Sequence, residues 1–440
     1  MKIKAILFSS ILISSFYSAH AQVKYTLKDC IGIGLERNFS LLIAKNNQSI
    51  SSNNFTLGNA GYLPTITLGG VYNGSVTNTT NNLTGGGKEV TDNVNTSSSS
   101  ATAGLNWTIF NGFSVSTTYK KLNELKQIGE LNTQLAIENY ISSIVSVYYN
   151  YIQRVELVSN LKYAVTLSKE RLRIDEQRYL LGSNSKLQVL QSRVYLNADS
   201  SQLSQQMEAL KATQIQLNEL MAVDDMGSPF VLTDTIINVQ SDLIYEKLLE
   251  ETLKLNTSLN IASKNKTISE YDYKLIVSRT YPYLVFSSGY NYNYNTFPPG
   301  TLKSTATNGV NYGLTLGVNL FNGFNTRREI RNSSIEIKNM QLQYSQIEQS
   351  VKADLITIYS AYRNNLRLIE LEQQNLETAS ENLSIAMDRY KLGNLAGIDL
   401  RDVQKSFLDA RESLLTIQYQ SKLAEISLRV ISGHVMEYFR

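Results

Sequence analysis

Apolar positions along this chain switch between helical and strand spacing, and the switches come in the same order twice. Residues 25–58 follow a helical period, and residues 243–278 do so again. Each segment runs up to a proline, Pro64 or Pro282. Proline is disfavoured inside a helix but tolerated as the first residue of a strand. Beyond it the period falls to two. Residues 66–77 alternate apolar or aromatic side chains with small polar ones. Residues 283–295 do so more sharply, with Tyr290, Tyr292 and Tyr294 on one face and Asn291, Asn293 and Asn295 on the other. Period two predicts strands. Stretches rich in Gly, Asn, Thr and Ser at 78–97 and 296–308 predict loops, and returning strands are expected at 98–109 and 309–320. Each half thus supplies two antiparallel strands of about ten residues, the length a tilted membrane-spanning strand needs.

The period then turns helical for a long run. Ile137, Ile141, Ile144, Tyr148, Tyr151, Val155 and Val158 step by four and three in turn. Val351, Leu355, Ile358, Tyr362, Leu366 and Ile369 do much the same, and both sets form heptad seams. No proline interrupts residues 113–180 or 324–392. A helix of that size is about 100 Å long at ~1.5 Å per residue, too long for a globular domain. The pattern breaks at Leu181-Gly182-Ser183-Asn184 and at Leu392-Gly393-Asn394-Leu395, then resumes to residue 223 and to the C-terminus. Each half therefore carries a long antiparallel helical hairpin.

The correspondence is numerical as well as visual. Phe110-Asn111-Gly112-Phe113 recurs as Phe321-Asn322-Gly323-Phe324, and Arg178-Tyr179 as Arg389-Tyr390, both 211 positions on. Gly182 and Gly393, Tyr148 and Tyr359, and Tyr151 and Tyr362 keep that offset. Nearer the start of each half the offset is 218, relating Asn38 to Asn256 and Pro64 to Pro282. One offset held across several motifs marks a two-copy repeat. The expected organisation is a leader at 1–21, a first repeat at 22–223, a linker at 224–240 containing Pro229, and a second repeat at 241–440.

Composition narrows the chemistry. Lys2 and Lys4, an apolar run and Ala19-His20-Ala21 have the form of a cleaved export signal. No later apolar run is long enough for a transmembrane helix, so entry into a membrane would require closed β-structure. The chain has 41 basic and 38 acidic residues, and loss of Lys2 and Lys4 lowers the net charge from +3 to +1. That balance offers no footprint for nucleic acid. Cys30 is the single cysteine and His434 the single histidine beyond the leader, which leaves little material for a disulfide, a metal site or histidine catalysis. Gly32-x-Gly34 neither follows a strand nor completes a dinucleotide fingerprint, and no phosphate loop of the Walker type is present. No catalytic residue and no cofactor are therefore expected. Aromatic residues Tyr62, Trp107, Phe110, Phe113, Tyr281, Tyr283, Phe321 and Phe324 gather at the strand–helix junctions, a level suited to a membrane interface.

Four strands cannot close a barrel, and open sheet edges are not tolerated in lipid, so several copies must combine. Two copies would give eight strands and three would give twelve; twelve leave room for a passage.

With its order helix–strand–strand–long helix–helix twice over, its prolines, its FNGF turns and its Arg-Tyr-x-x-Gly motifs, the chain resembles the TolC-like outer-membrane efflux proteins across essentially its whole mature length. The resemblance implies a mostly α homotrimer: a twelve-stranded barrel in the outer membrane of a Gram-negative bacterium, continuous with a helical barrel in the periplasm. It implies a periplasmic adaptor and, through it, an inner-membrane pump as partners. By the same resemblance, Arg178, Tyr179, Gly182, Ser185, Arg389, Tyr390 and Gly393 sit at adaptor-contacting tips. Asp399 and Asp402, six and nine residues after Gly393, match the family's entrance aspartates; a spacing of three puts them on one helix face. The equivalent positions in the first half are the neutral Gln188 and Gln191. A charged face paired with Arg401 or Lys405 is the alternative for the aspartates. For the whole chain the alternatives are the outer-membrane channel of a type I secretion system and a non-channel coiled-coil envelope protein.

Overall fold

Each expected long helix is one unbroken element in the computed structural model, which describes residues 23–298 and 302–439; the leader expected at 1–21 lies outside the described residues. Helices α4 (Ser114–Leu180) and α8 (Asn325–Lys391) have 67 residues apiece, about 100 Å at ~1.5 Å per residue. Their antiparallel partners α5 (Lys186–Leu220) and α9 (Gly397–Ile431) have 35 each, and so cover only about half of them. The other half packs against the helices that open each repeat, α2 (Phe39–Asn54) on α4 and α7 (Thr257–Ser278) on both α4 and α8. No described helix is long and apolar enough to cross a membrane.

The opening helices are broken where a continuous element was expected. In the first repeat α1 (Leu27–Arg37) ends at Asn38 before α2; in the second α6 (Tyr245–Leu255) ends at Asn256 before α7. Both asparagines leave the helical region, with ψ of 123° and 120°, and cap the next helix through the side-chain oxygen. The amide nitrogen of each then donates to the last turn of a hairpin helix, Asn38 to the Leu220 carbonyl at 3.1 Å and Asn256 to the Ile431 carbonyl at 3.0 Å. One side chain thus satisfies orphan groups at two helix ends. A short helix α3 (Leu57–Ala60) precedes the first proline.

At this mid-level lies the largest apolar core, which includes Cys30, Ile31, Ile141, Ile144, Tyr148, Leu217 and Met221. The stretch expected as a linker is tied into it. Its strand β4 (Phe230–Leu232) pairs in parallel with β1 (Val23–Tyr25), and Tyr148 donates to Asp234 at 2.7 Å. The chain end, a 3-10 turn at Val435–Tyr438, is held by Glu425, which accepts from Tyr438 at 2.8 Å and from the buried Lys422 at 2.9 Å.

At the far end of the long helices stands one antiparallel sheet of order β2-β3-β5-β6, with β2 Thr65–Leu83, β3 Gly87–Asn111, β5 Tyr283–Thr296 and β6 Ser304–Gly317. The first hairpin corrects the expected loop at 78–97: pairing continues to Leu83 opposite Gly87, and Gly86, at φ +81°, sits in the turn. Threonine and valine through this stretch favour an extended backbone despite the polar composition that suggested a loop. The second returning strand begins at Ser304 and ends at Gly317, earlier than the expected 309–320. Pairing of β3 with β5 stops at Ser97 opposite Thr296, and the first hairpin runs on for about 33 Å past that point at ~3.3 Å per residue.

Candidate functional site

Three levels of the molecule carry the sequence-predicted residues: the sheet, the strand–helix junction and the helical tips. The sheet register divides its side chains into two unlike faces, because directly opposed residues share a face. One face carries Ile66, Leu68 and Tyr72 on β2, Trp107 and Leu105 on β3, Phe286, Tyr290, Tyr292 and Tyr294 on β5, and Val310, Tyr312, Leu314 and Leu316 on β6. The other carries Thr67, Asn73, Thr102, Asn106, Asn291, Asn293, Asn295 and Asn311, with glycine at 289 and 313. Asn291 donates to the Asn311 side-chain oxygen at 2.8 Å across this polar face. No Asp, Glu, Lys or Arg occurs in 65–77, 95–111, 283–296 or 304–317; Lys88, Glu89 and Asp92 stand in the protruding hairpin.

The FNGF turns convert strand to helix with the same geometry in both repeats. Gly112 and Phe113 have φ of +55° and +67°, and Gly323 and Phe324 have +67° and +60°. Phe110 meets Phe113, and Phe321 meets Phe324, edge to face at 5.2 Å and 88° in each case. Glycine is required at 112, where a Cβ would lie 2.1 Å from the Ser278 carbonyl oxygen. Tyr281 packs on Phe113 at 6.3 Å, and the Tyr62 carbonyl accepts from the Trp107 indole at 3.0 Å. Tyr283 departs from the expected girdle. Strand parity puts it on the polar face, with its ring over Gly317, so it does not stand with the aromatics of the apolar face.

At the opposite end the two hairpins turn through matching glycine caps. Gly182 and Gly393 have φ of +74° and +82°; Ser183 and Asn394 donate back to the Arg178 and Arg389 carbonyls at 2.9 and 2.8 Å. Ser185 caps α5 in a capping box with Gln188, whereas Ala396 caps α9 with no side-chain bond.

The repeat-related side chains here do different jobs. Arg178 donates to the Tyr390 and Lys391 carbonyls and lies 4.9 Å from the Tyr390 ring centre, so it ties the first tip to the second. Arg389 donates to its own turn, at 3.5 Å from the Asn394 carbonyl. Tyr390 is 2% exposed and donates to Asp175, while Tyr179 is 45% exposed. Tyr390 is thus an internal brace rather than a contact surface. Burial, then Asp175, pushes its hydroxyl up to about 12. Asp175 also accepts from Ser192 and, at 3.0 Å, from Asn184, and it pairs with the buried Arg171 at 3.9 Å. One step along, Asp199 holds Arg401 in a two-pronged pair at 2.8 and 2.9 Å and accepts from Ser168. Arg401 is therefore engaged away from Asp399 and Asp402. Both of those aspartates are exposed and carry no ion pair among the described residues. A cavity of about 870 Å³ opens between the tips, lined by Arg171, Asp175, Arg178, Gln188, Gln191 and the second turn.

A family model described as "Outer membrane efflux protein" matches residues 31–223 and 248–434, most of both repeats. The chain belongs to the outer membrane efflux protein family. Its fold is that of TolC-like channels. The Campylobacter jejuni CmeC outer membrane channel superposes with a TM-score of 0.75 at 16% identity, over 93% of this chain and 85% of that one. The Vibrio cholerae outer membrane protein VceC gives 0.72 at 14%, over 92% and 96%. The open-state Neisseria gonorrhoeae MtrE outer membrane channel gives 0.71 at 15%, over 93% and 89%. At these identities the likeness is one of fold. No curated protein matches the chain by sequence.

Within that family fold, two features escaped the sequence reading. Asp175, Asp199 and Arg171 form a buried network whose partners lie up to 215 positions away. Tyr72 joins Tyr292 and Tyr294 as a second aromatic level at the far end of the apolar face. The alternation of tyrosine and asparagine was the available signal for the latter.

Proposed function

We propose that three copies of this chain form an outer-membrane exit duct of a Gram-negative bacterium, passive in itself and fed by a periplasmic adaptor and an inner-membrane pump. The observation that carries this reading is the sheet. It has an uncharged apolar face, an uncharged face mostly of small polar residues that also carries Val71, Val285 and Tyr283, and two open edges, β2 and β6. From Leu284 to Tyr294 the apolar face runs ~33 Å along the strand, and at a tilt of ~40° that becomes about 25 Å, the height of an outer-membrane apolar band. Its two ends carry aromatic rings, as membrane interfaces favour. The asparagine face then lines the lumen. The repeat suggests how edges close: the pairing of β3 with β5, carried over, sets Tyr312 of one copy opposite Gly74 of the next.

The helices extend this passage into the periplasm, and the tips are its entrance. Exposed Tyr179, Leu180, Leu181 and Leu392 around Gly182 and Gly393 suit contact with adaptor hairpins, while Arg178 and Ser185 shape the first turn. Asp399 and Asp402 from three copies give six carboxylates around the axis, a ring that attracts cations and resists collapse by mutual repulsion. Small-molecule efflux stands ahead of protein secretion on the family's own description.

Conductance of the purified protein in planar bilayers tests this reading. Replacing Asp399 and Asp402 together by alanine removes the attraction for cations, and so lowers resting cation conductance and weakens block by multivalent cations. Unchanged conductance and block remove the aspartates from the entrance. No conductance from the unaltered protein removes the duct.

A further inference from the structure

Positive charge gathers just beyond the turns that join strand to helix. Within ~12 Å of those turns, at ~1.5 Å per residue, lie Lys120 and Lys121 on α4, Lys274 and Arg279 at the end of α7, and Arg327, Arg328 and Arg331 on α8. Among the described residues, two carboxylates share this level, Asp272 and Glu329, and both are engaged, by Lys121 and, at 2.8 Å, by Arg279. Seven cations against two carboxylates leave a surplus of five, in a chain whose mature net charge is +1.

Helix physics does not account for the arginines. The start of a helix carries partial positive charge and disfavours cations, and like charges four residues apart repel, as Arg327 and Arg331 do. All three arginines of α8 are exposed and, like Lys120 and Lys274, carry no ion pair among the described residues. Their repeat counterparts on α4 are Ser116, Thr117 and Lys120, so the second repeat holds most of the surplus.

The charge also stands on the outer side of the helices. Arg331 lies four heptads before Tyr359, which packs on Tyr245 of α6 at 5.4 Å, and Lys120 lies four heptads before Tyr148, in the core shared with α1. A heptad stripe keeps one face along a supercoiled helix. That face is the one to which the mid-level layer of α1, β1, β4 and α6 is applied, and such a layer would fill the passage if it faced inward. Immediately beyond the arginines come Leu320, Phe321 and Phe324, 89%, 71% and 65% exposed. An exposed apolar rim followed by an unpaired cationic belt matches the edge of a bilayer, hydrocarbon first and phosphate next.

We propose that Arg327, Arg328 and Arg331, with Lys120 and Lys274, bind the phosphate groups of anionic phospholipids in the leaflet nearest the helices. Arginine suits this task, since its planar fork donates two parallel bonds to a phosphate. The inference rests on the membrane-barrel reading and adds which lipids the duct holds around it, and where.

Electron spin resonance of boundary lipid on the reconstituted protein tests it. Spin-labelled phosphatidylglycerol and spin-labelled phosphatidylcholine are compared in phosphatidylcholine bilayers at low salt. The unaltered protein should hold phosphatidylglycerol at least ~3-fold more strongly, and Arg327→Gln, Arg328→Gln and Arg331→Gln together should bring the ratio below ~1.5. Lys338→Gln, one heptad below Arg331 and ~21 Å from the turn, should leave the ratio unchanged. Added inorganic phosphate should also leave it standing. Equal holding of the two lipids by the unaltered protein, a ratio indifferent to the triple substitution, an equal loss from Lys338→Gln, or displacement by free phosphate overturns the proposal. Absence of any motionally restricted lipid instead removes the membrane barrel itself.

Discussion

The two helical tips are built from the same motif and end up in different places. Arg178 and Tyr179 stand at the first tip, Arg389 and Tyr390 at the second; Arg178 bridges to the other hairpin and Tyr390 is buried beneath it, while Arg389 and Tyr179 face outward. The motif alone does not decide this. The neighbours do: Asp175 and Arg171 lie on the first long helix, and alanine and asparagine occupy the matching positions on the second. Each copy of the motif thus has one residue used inside the chain, Arg178 in the first and Tyr390 in the second, and one facing outward.

Substitutions sharpen the contrast. Asp175→Ala has the largest expected effect. It leaves Arg171 buried without its counter-charge and the Tyr390, Ser192 and Asn184 donors unanswered, at a cost of about 3–5 kcal/mol. Amide exchange and limited proteolysis around the tips should accelerate sharply, and an unchanged exchange pattern would deny that Asp175 braces the two tips. Next comes glycine at the junctions. Gly112→Ala drives a Cβ into the Ser278 carbonyl, whereas at Gly323 the nearest atom is 3.7 Å away, so Gly323→Ala pays about 1 kcal/mol of left-handed strain. The first variant should lose clearly more thermal stability; equal losses would mean that the two junctions are packed alike. The smallest effect separates the tyrosines. Tyr390→Phe removes a buried bond to a carboxylate, about 1.5–3 kcal/mol, and Tyr179→Phe should stay within about 0.5 kcal/mol in chemical denaturation.

The repeat, the long helices and the positions of the turns were legible because heptad spacing and two fixed offsets run through the sequence. The protruding hairpin was not. The expected loop at 78–97 is rich in residues common to loops, and only the pairing register reveals the strands there. The breaks at Asn38 and Asn256 could have been read, since both asparagines keep the 218-residue offset and each opens a helix. Without a proline or glycine there, periodicity ran straight through them. For the site, Asp399 and Asp402 were picked out by the family resemblance, and both are exposed. That Arg401 turns to Asp199 instead was not legible, because the partner lies on another helix 202 positions away. Tyr283 failed for a simpler reason: an aromatic at the right level can still point to the other face of a strand.

A closed barrel requires the open sheet edges, β2 and β6, to be paired by copies of the same chain. The protein mass of the detergent-solubilised complex, measured by light scattering with the detergent contribution removed, tests that most directly. Three chains per particle is the expected result. A monodisperse single chain, stable in detergent, would contradict it, since β2 and β6 would then have to face lipid unpaired.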